Sequence, residues 1–182
     1  MGTTPAGNWQ DRLEQVRQMM LEMSQQTDAQ AMVQRYAARV RTTSPNDGIL
    51  SVSRRGVLEP HFKITRSFRW GFDFDPWKNA LSLPVLQGGL LGRLLYEGMP
   101  RLVEDLRVER DDPAHEHLHE ARSLFAMPAY DGGVALNMTF VLSNQPRGFD
   151  YDSLPNQFWM SSLFGRVTHN LLLSRQLQDA YD

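Results

Sequence analysis

Gly88-Gly89-Leu90-Leu91-Gly92-Arg93-Leu94-Leu95-Tyr96-Glu97-Gly98-Met99-Pro100-Arg101-Leu102-Val103-Glu104-Asp105-Leu106 contains a short helix, its stop signal and the strand after it. Paired glycines open it. Leu91, Leu94 and Leu95 then share one helical face, Gly98 suits the left-handed position that ends a helix, and Pro100 forbids its continuation. From Arg101 to Leu106 the side chains alternate loosely, as in a strand, before the charged run Arg107 to Asp112.

Outward from this segment the periodicity changes several times. Asn8 or Asp11 starts a helix to about Gln25, with Leu13, Val16, Met19, Met20 and Met23 at helical spacing. Thr27 and Asp28 supply a new N-cap. A second helix comes next, burying Ala31, Met32, Val33, Tyr36, Ala37 and Val40. Ser44 to Gly48 is a turn. Ile49 to Ser53 and His61 to Phe68 then form a hairpin in which Phe62, Ile64, Arg66 and Phe68 are expected on one face. Trp70 to Trp77 is an aromatic, acidic loop. Asp111-Asp112-Pro113 signals a short helix from Ala114 to Ala121. Ser123 to Ala129 and Gly133 to Ser143 pair around a turn at Tyr130 to Gly133, and a last helix begins at Asp152 or Ser153. Residues 1–7 read as a disordered leader, and 8–182 as a single domain. The order of elements gives an α+β fold with a mostly antiparallel sheet.

Composition narrows the function. A chain of 182 residues, 41% hydrophobic and 22% charged, can bury a real core. A net charge of −2 favours neither nucleic acid nor an anionic membrane as partner. Cysteine is absent, which excludes disulfides, thiol nucleophiles and thiolate metal sites. The most apolar window, Ala80 to Leu95, is too short and too broken to span a bilayer, and no signal peptide is visible, so the expected location is cytoplasmic.

The central stretch of glycines, helix, Gly-x-Pro, aliphatics and aspartate resembles the core motif of GAF domains, small sensory α/β modules of signalling proteins. Three further pieces come in order. Ser123-Leu124-Phe125-Ala126-Met127-Pro128 resembles the family's apolar strand ending in proline, Asp131-Gly132-Gly133 its hairpin turn, and Phe149-Asp150 its entry to the last helix. The chain is most similar in wording to GAF modules preceding SpoIIE-type serine phosphatases of bacteria. The resemblance implies a profilin-like antiparallel sheet with the N- and C-terminal helices on one face and a ligand pocket, with short helices and loops, on the other. Bilin attachment and methionine-sulfoxide reduction in this family need cysteine, so both are excluded. The cyclic-nucleotide signature is missing, haem has no positive signal, and no cofactor is named.

Strand periodicity divides Val134 to Ser143 between those faces. The bulky set Val134, Leu136, Met138, Phe140 and Leu142 is assigned to the terminal helices. The smaller set Ala135, Asn137, Thr139 and Val141 is assigned to the pocket side, where small polar residues leave room for a ligand or, alternatively, for the protein's own aromatics. The expected pocket comprises Trp70, Phe72, Phe74, Trp77, Leu91, Leu118, Arg122, Phe125, Asn137 and Thr139. The four loop aromatics can cage a planar or cationic ligand, or close a satellite apolar cluster. Arg122 can hold a carboxylate or phosphate, or pair with Asp105 or Glu120.

His115-Glu116-His117-Leu118-His119 matches H-E-x-x-H, the spacing that places two zinc ligands and a general base on one helical face. A helix this short, with no third ligand at a recognisable spacing and His117 off the common face, reads instead as solvated. The leading expectation is a non-catalytic sensory module that binds a small ligand or dimerises to control an output domain such as a serine phosphatase. Leu163, Val167, Leu171 and Leu172 form its dimer and signalling stripe, and a last helix running on to the chain end looks like a linker cut from a longer protein. A ligand-free dimerisation scaffold and a zinc hydrolase using His115, Glu116 and His119 are the alternatives.

Overall fold

The computed structural model describes residues 9–43, 46–71 and 73–181; the expected leader and Phe72 lie outside them. The chain begins with two helices, α1 (Trp9–Ser24) and α2 (Ala29–Thr43), then a hairpin of β1 (Gly48–Ser53) and β2 (His61–Ser67). A short strand β3 (Val85–Gln87), which the residue pattern does not signal, precedes α3 (Gly89–Glu97) and β4 (Arg101–Val103). One helical turn, α4 (His115–Leu118), leads to β5 (Ser123–Asp131), β6 (Val134–Ser143) and the terminal helix α5 (Leu154–Tyr181). The strands form one antiparallel sheet in the order β3-β2-β1-β6-β5-β4.

Local signals act as the sequence implies. The Asp28 carboxylate accepts from the Ala31 N–H at 2.8 Å and separates α2 from α1. Gly98 ends α3 with φ +67° and its N–H donates to Leu94 O. The Asp150 carboxylate accepts from the Asp152 N–H, so a 3-10 turn at Tyr151–Ser153 leads into α5.

From Asn137 to Leu142 the division of faces is the reverse of the expectation, while Ala135, before the bulge, lies on the expected side. Met138, Phe140 and Leu142 join Leu50, Val52, Phe62, Ile64 and Leu124 on the front face, under Leu91, Leu94 and Leu95 of α3 and Leu118 of α4. The back face carries Phe125, Met127 and Val141, packed against Phe149 and against Leu154 and Phe158 of α5. Both faces carry large sheet residues, Phe140 and Met138 in front and Phe125 and Met127 behind, so side-chain size in β6 alone does not decide which face the terminal helices cover.

Two bulges alter the alternation. Ser51 pairs with Arg66 but Val52 pairs with Ile64, leaving Thr65 as an extra residue in β2. Arg66 therefore lies opposite Phe62 and Ile64 rather than beside them. Leu136 is the extra residue of β6, and it turns Ala135 back toward Gly98 on the front.

In the helical layer Tyr36 stacks on Phe164 with ring centroids 4.1 Å apart, and Thr168 meets Met32. Burial pushes the Tyr36 phenol up to about 12, with a hydrogen bond to Ser161 opposing.

Candidate functional site

The front face is built from α3, α4 and the segment between them, and the chain's own side chains fill it. Leu91 and Leu118, both expected in a pocket, are fully buried core residues. Beside them an open groove of about 810 Å³ runs along α3 and the segment after β4, lined by Leu90, Arg93, Val103, Leu106, Arg107 and Asp112 among others.

Asp112 fastens this segment. Its Oδ1 accepts from the Ala114 N–H at 2.8 Å, and its Oδ2 accepts from the Leu90 N–H at 2.9 Å in the first turn of α3. One carboxylate thus satisfies donors in two elements and places negative charge at the positive end of a helix. Gly89 makes this approach possible. Its φ is +71°, and a Cβ there would lie 2.8 Å from Pro113 Cδ and 2.9 Å from Asp112 Oδ1.

His117 corrects the reading of α4 as a solvated helix. It is only 3% exposed; its Nδ1 shares a 2.9 Å hydrogen bond with the Ser67 hydroxyl of β2, and its Nε2 lies 3.1 Å from Glu116 Oε1. Burial holds the imidazole below its usual range, with the Glu116 carboxylate opposing and Arg69 adding to the shift. His115 and His119 stack at 5.4 Å, and each turns its Nδ1 to a backbone carbonyl. Glu116 pairs with His117, and among the described residues no group of three or more candidate ligands is placed to hold a metal.

The aromatic loop divides between the two faces instead of forming one cage. Trp70 and Phe74 pack at 4.6 Å beside His117 at the front. Trp77 lies on the other side, its ring 4.9 Å from Arg66 Cζ. Arg122 pairs with Asp105 at 3.1 Å, one of its two expected salt bridges, and Glu120 pairs instead with Arg69. Phe125, Asn137 and Thr139 are on the back face, away from Leu91 and Leu118, because they alternate with front-facing Ala126, Met138 and Phe140.

The back face itself changes character across the sheet. Over β4 and β5 it is apolar and covered by α5. Over β6, β1 and β2 it is polar, with Thr139, Ser51 and Arg66 in one row across three strands and Asn137, Ser53 and Lys63 in the next. Ser51 and Thr139 hydroxyls lie 3.4 Å apart, and Arg66 Nη2 donates to Gln30 Oε1 of α2 at 2.9 Å. Sequence reasoning puts Arg66 on the wrong face because strict alternation counts straight through Thr65, and it has no signal that brings Ser51 or Gln30 beside it. Nothing in the residue string marks that bulge.

By sequence, the chain matches no family model and no curated protein. By structure it is similar to the GAF domain of a phosphoenolpyruvate-protein phosphotransferase from Coxiella burnetii, with a TM-score of 0.66 at 12% identity over 95% of this chain and 99% of that one. It is also similar to the GAF domain of a two-component sensor histidine kinase from Bacillus halodurans, with a TM-score of 0.59 at 11% identity over 79% and 95% of the two chains. A third neighbour is the free methionine-R-sulfoxide reductase from Neisseria meningitidis, solved with its substrate, at TM-score 0.58 and 15% identity over 97% and 96%. Element order, sheet order and these superpositions agree: this chain has the fold of GAF domains.

Proposed function

We propose that this chain is a non-catalytic regulatory module whose helical layer pairs with a second copy and passes the state of the domain to an output domain, such as a serine phosphatase. One observation carries the reading. The 28-residue α5 buries only Thr168 fully, while Leu163, Val167, Leu171 and Leu172 are half-buried and Leu173, Leu177 and Tyr181 are 44%, 60% and 88% exposed. Apolar side chains all around a helix call for cover on more than one side. Exposed Leu13, Met20 and Leu21 of α1 add to the same layer. The helices lie on the back face of the sheet, so a ligand that alters their seating there alters how they pair. Sensor proteins among the structural neighbours support the regulatory class. The sulfoxide reductases share the fold, but a chain without cysteine cannot use thiol chemistry.

Light scattering across a concentration series tests this. The expected result is a dimer for the wild-type chain and a monomer with unchanged circular dichroism for Leu173→Glu/Leu177→Glu. A wild-type monomer at every concentration, or a dimer that ignores both charges, refutes it.

A further inference from the structure

We propose that the polar part of the back face is a binding site for a small oxyanion, a phosphate- or carboxylate-bearing molecule held by Arg66 beneath Trp77. A sheet face turned toward helices is ordinarily apolar, as this one is over β5. Ser51, Arg66, Asn137 and Thr139 nevertheless stand together on it and remain partly accessible. Polar groups in that position are matched by solvent or by a ligand that satisfies them.

Arg66 is the centre. Its guanidinium hydrogen-bonds a neutral amide, Gln30, and packs under Trp77, and no carboxylate lies within ion-pair distance of it among the described residues. The nearby acid Asp75 is turned to its own loop, where Oδ1 accepts from the N–H groups of Trp77 and Lys78. Burial lowers the guanidinium to about 10, with Asp75 offsetting the effect in part. Among the described residues no carboxylate makes an ion pair with this guanidinium, Asp75 acting on it only at longer range, and its planar fork matches an oxyanion bidentately. Ser51 and Thr139 present hydroxyls in the same cross-strand row, and Lys63 adds a second positive charge to the face one row on. Front-face groups contribute nothing: Leu91 and Leu118 there are closed core.

The site also lies where a ligand can act. Gln30 belongs to α2; its Oε1 accepts from Arg66, and its side-chain amide donates to Phe74 O at 3.2 Å. An anion on Arg66 therefore competes directly with a contact between the sheet and the helical layer. This consequence rests on the regulatory reading; the binding itself does not.

The test is an NMR titration of the full chain with sodium phosphate and, separately, sodium citrate, each against sodium chloride at matched ionic strength. The expected result is a saturable shift of the Trp77 indole N–H and the Thr139 amide, weakened about tenfold or more in Arg66→Gln. Thr139→Val, which keeps shape and removes the hydroxyl, weakens it by a few-fold and serves if Arg66→Gln does not fold. Whichever anion saturates first assigns phosphate or carboxylate. Shifts that track chloride, or that persist unchanged in both variants, overturn the proposal. Light scattering on the same samples reads dimerisation separately, so either idea can fail alone.

Discussion

Asp112→Ala removes a single carboxylate that serves two elements, so its cost can be worked out from the structure. Loss of the cap on Ala114 costs about 1 kcal/mol. Loss of the charge-assisted bond to the half-buried Leu90 N–H costs about 1–2 kcal/mol more, at the lower end if water reaches the freed donor. The sum is about 2–3 kcal/mol, and for a domain of this size each kcal/mol moves Tm by about 2–4 °C. Calorimetry should therefore show a fall of about 4–12 °C, with urea unfolding shifted in midpoint at unchanged slope. Asp112→Asn keeps one acceptor oxygen but no charge, and should fall between. Asp111→Ala, at an exposed neighbour, should stay within about 0.5 kcal/mol of wild type. An Asp112→Ala protein as stable as Asp111→Ala would refute the idea that this carboxylate fastens the post-β4 segment to α3.

The other expectations are read with the same assays. His117 binds its proton less readily folded than unfolded, so stability falls as pH drops below about 6.5, by up to about 1.4 kcal/mol per pH unit until the folded-state value is reached. His117→Asn should flatten that part of the pH profile, and an identical profile would show that another group is responsible. Leu118→Ala should cost about 2–5 kcal/mol because the front face is closed core, whereas Leu177→Ala should leave the monomer's stability within about 0.5 kcal/mol. A mild Leu118→Ala would show that the front face is loosely packed. Gly89→Ala should destabilise through both its positive φ and its contacts with Pro113 and Asp112, and removing the Asp112 side chain as well should give less than the sum of the two losses.

Much of the fold was legible in local chemistry. Gly98 and Pro100 stop α3, Asp28 caps α2, Asp112 caps the turn before α4, and Asp131-Gly132-Gly133 turns the β5–β6 hairpin; each acts through its own backbone or its nearest neighbours. Period-two alternation likewise separated Met138, Phe140 and Leu142 from Thr139 and Val141. What alternation cannot state is which of two faces meets which helices, since both readings have the same spacing. That depends on which helices pack on each face, α3 and α4 on one and α5 on the other, a property of elements far apart in the chain. The bulge at Thr65 is of the same kind. Whether β2 carries an extra residue depends on its pairing with β1, and that pairing moves Arg66 from the core side to the polar side. His117 reads in sequence as one polar residue among several; only the approach of Ser67 from β2 makes it a buried, hydrogen-bonded contact. The sequence by itself determined most of the elements and the signals that end them, because those depend on short-range geometry, whereas β3 and the full extent of α4 were not marked there. The tertiary structure alone decided which face is filled and which side chains converge on it, because packing couples residues that no local pattern links.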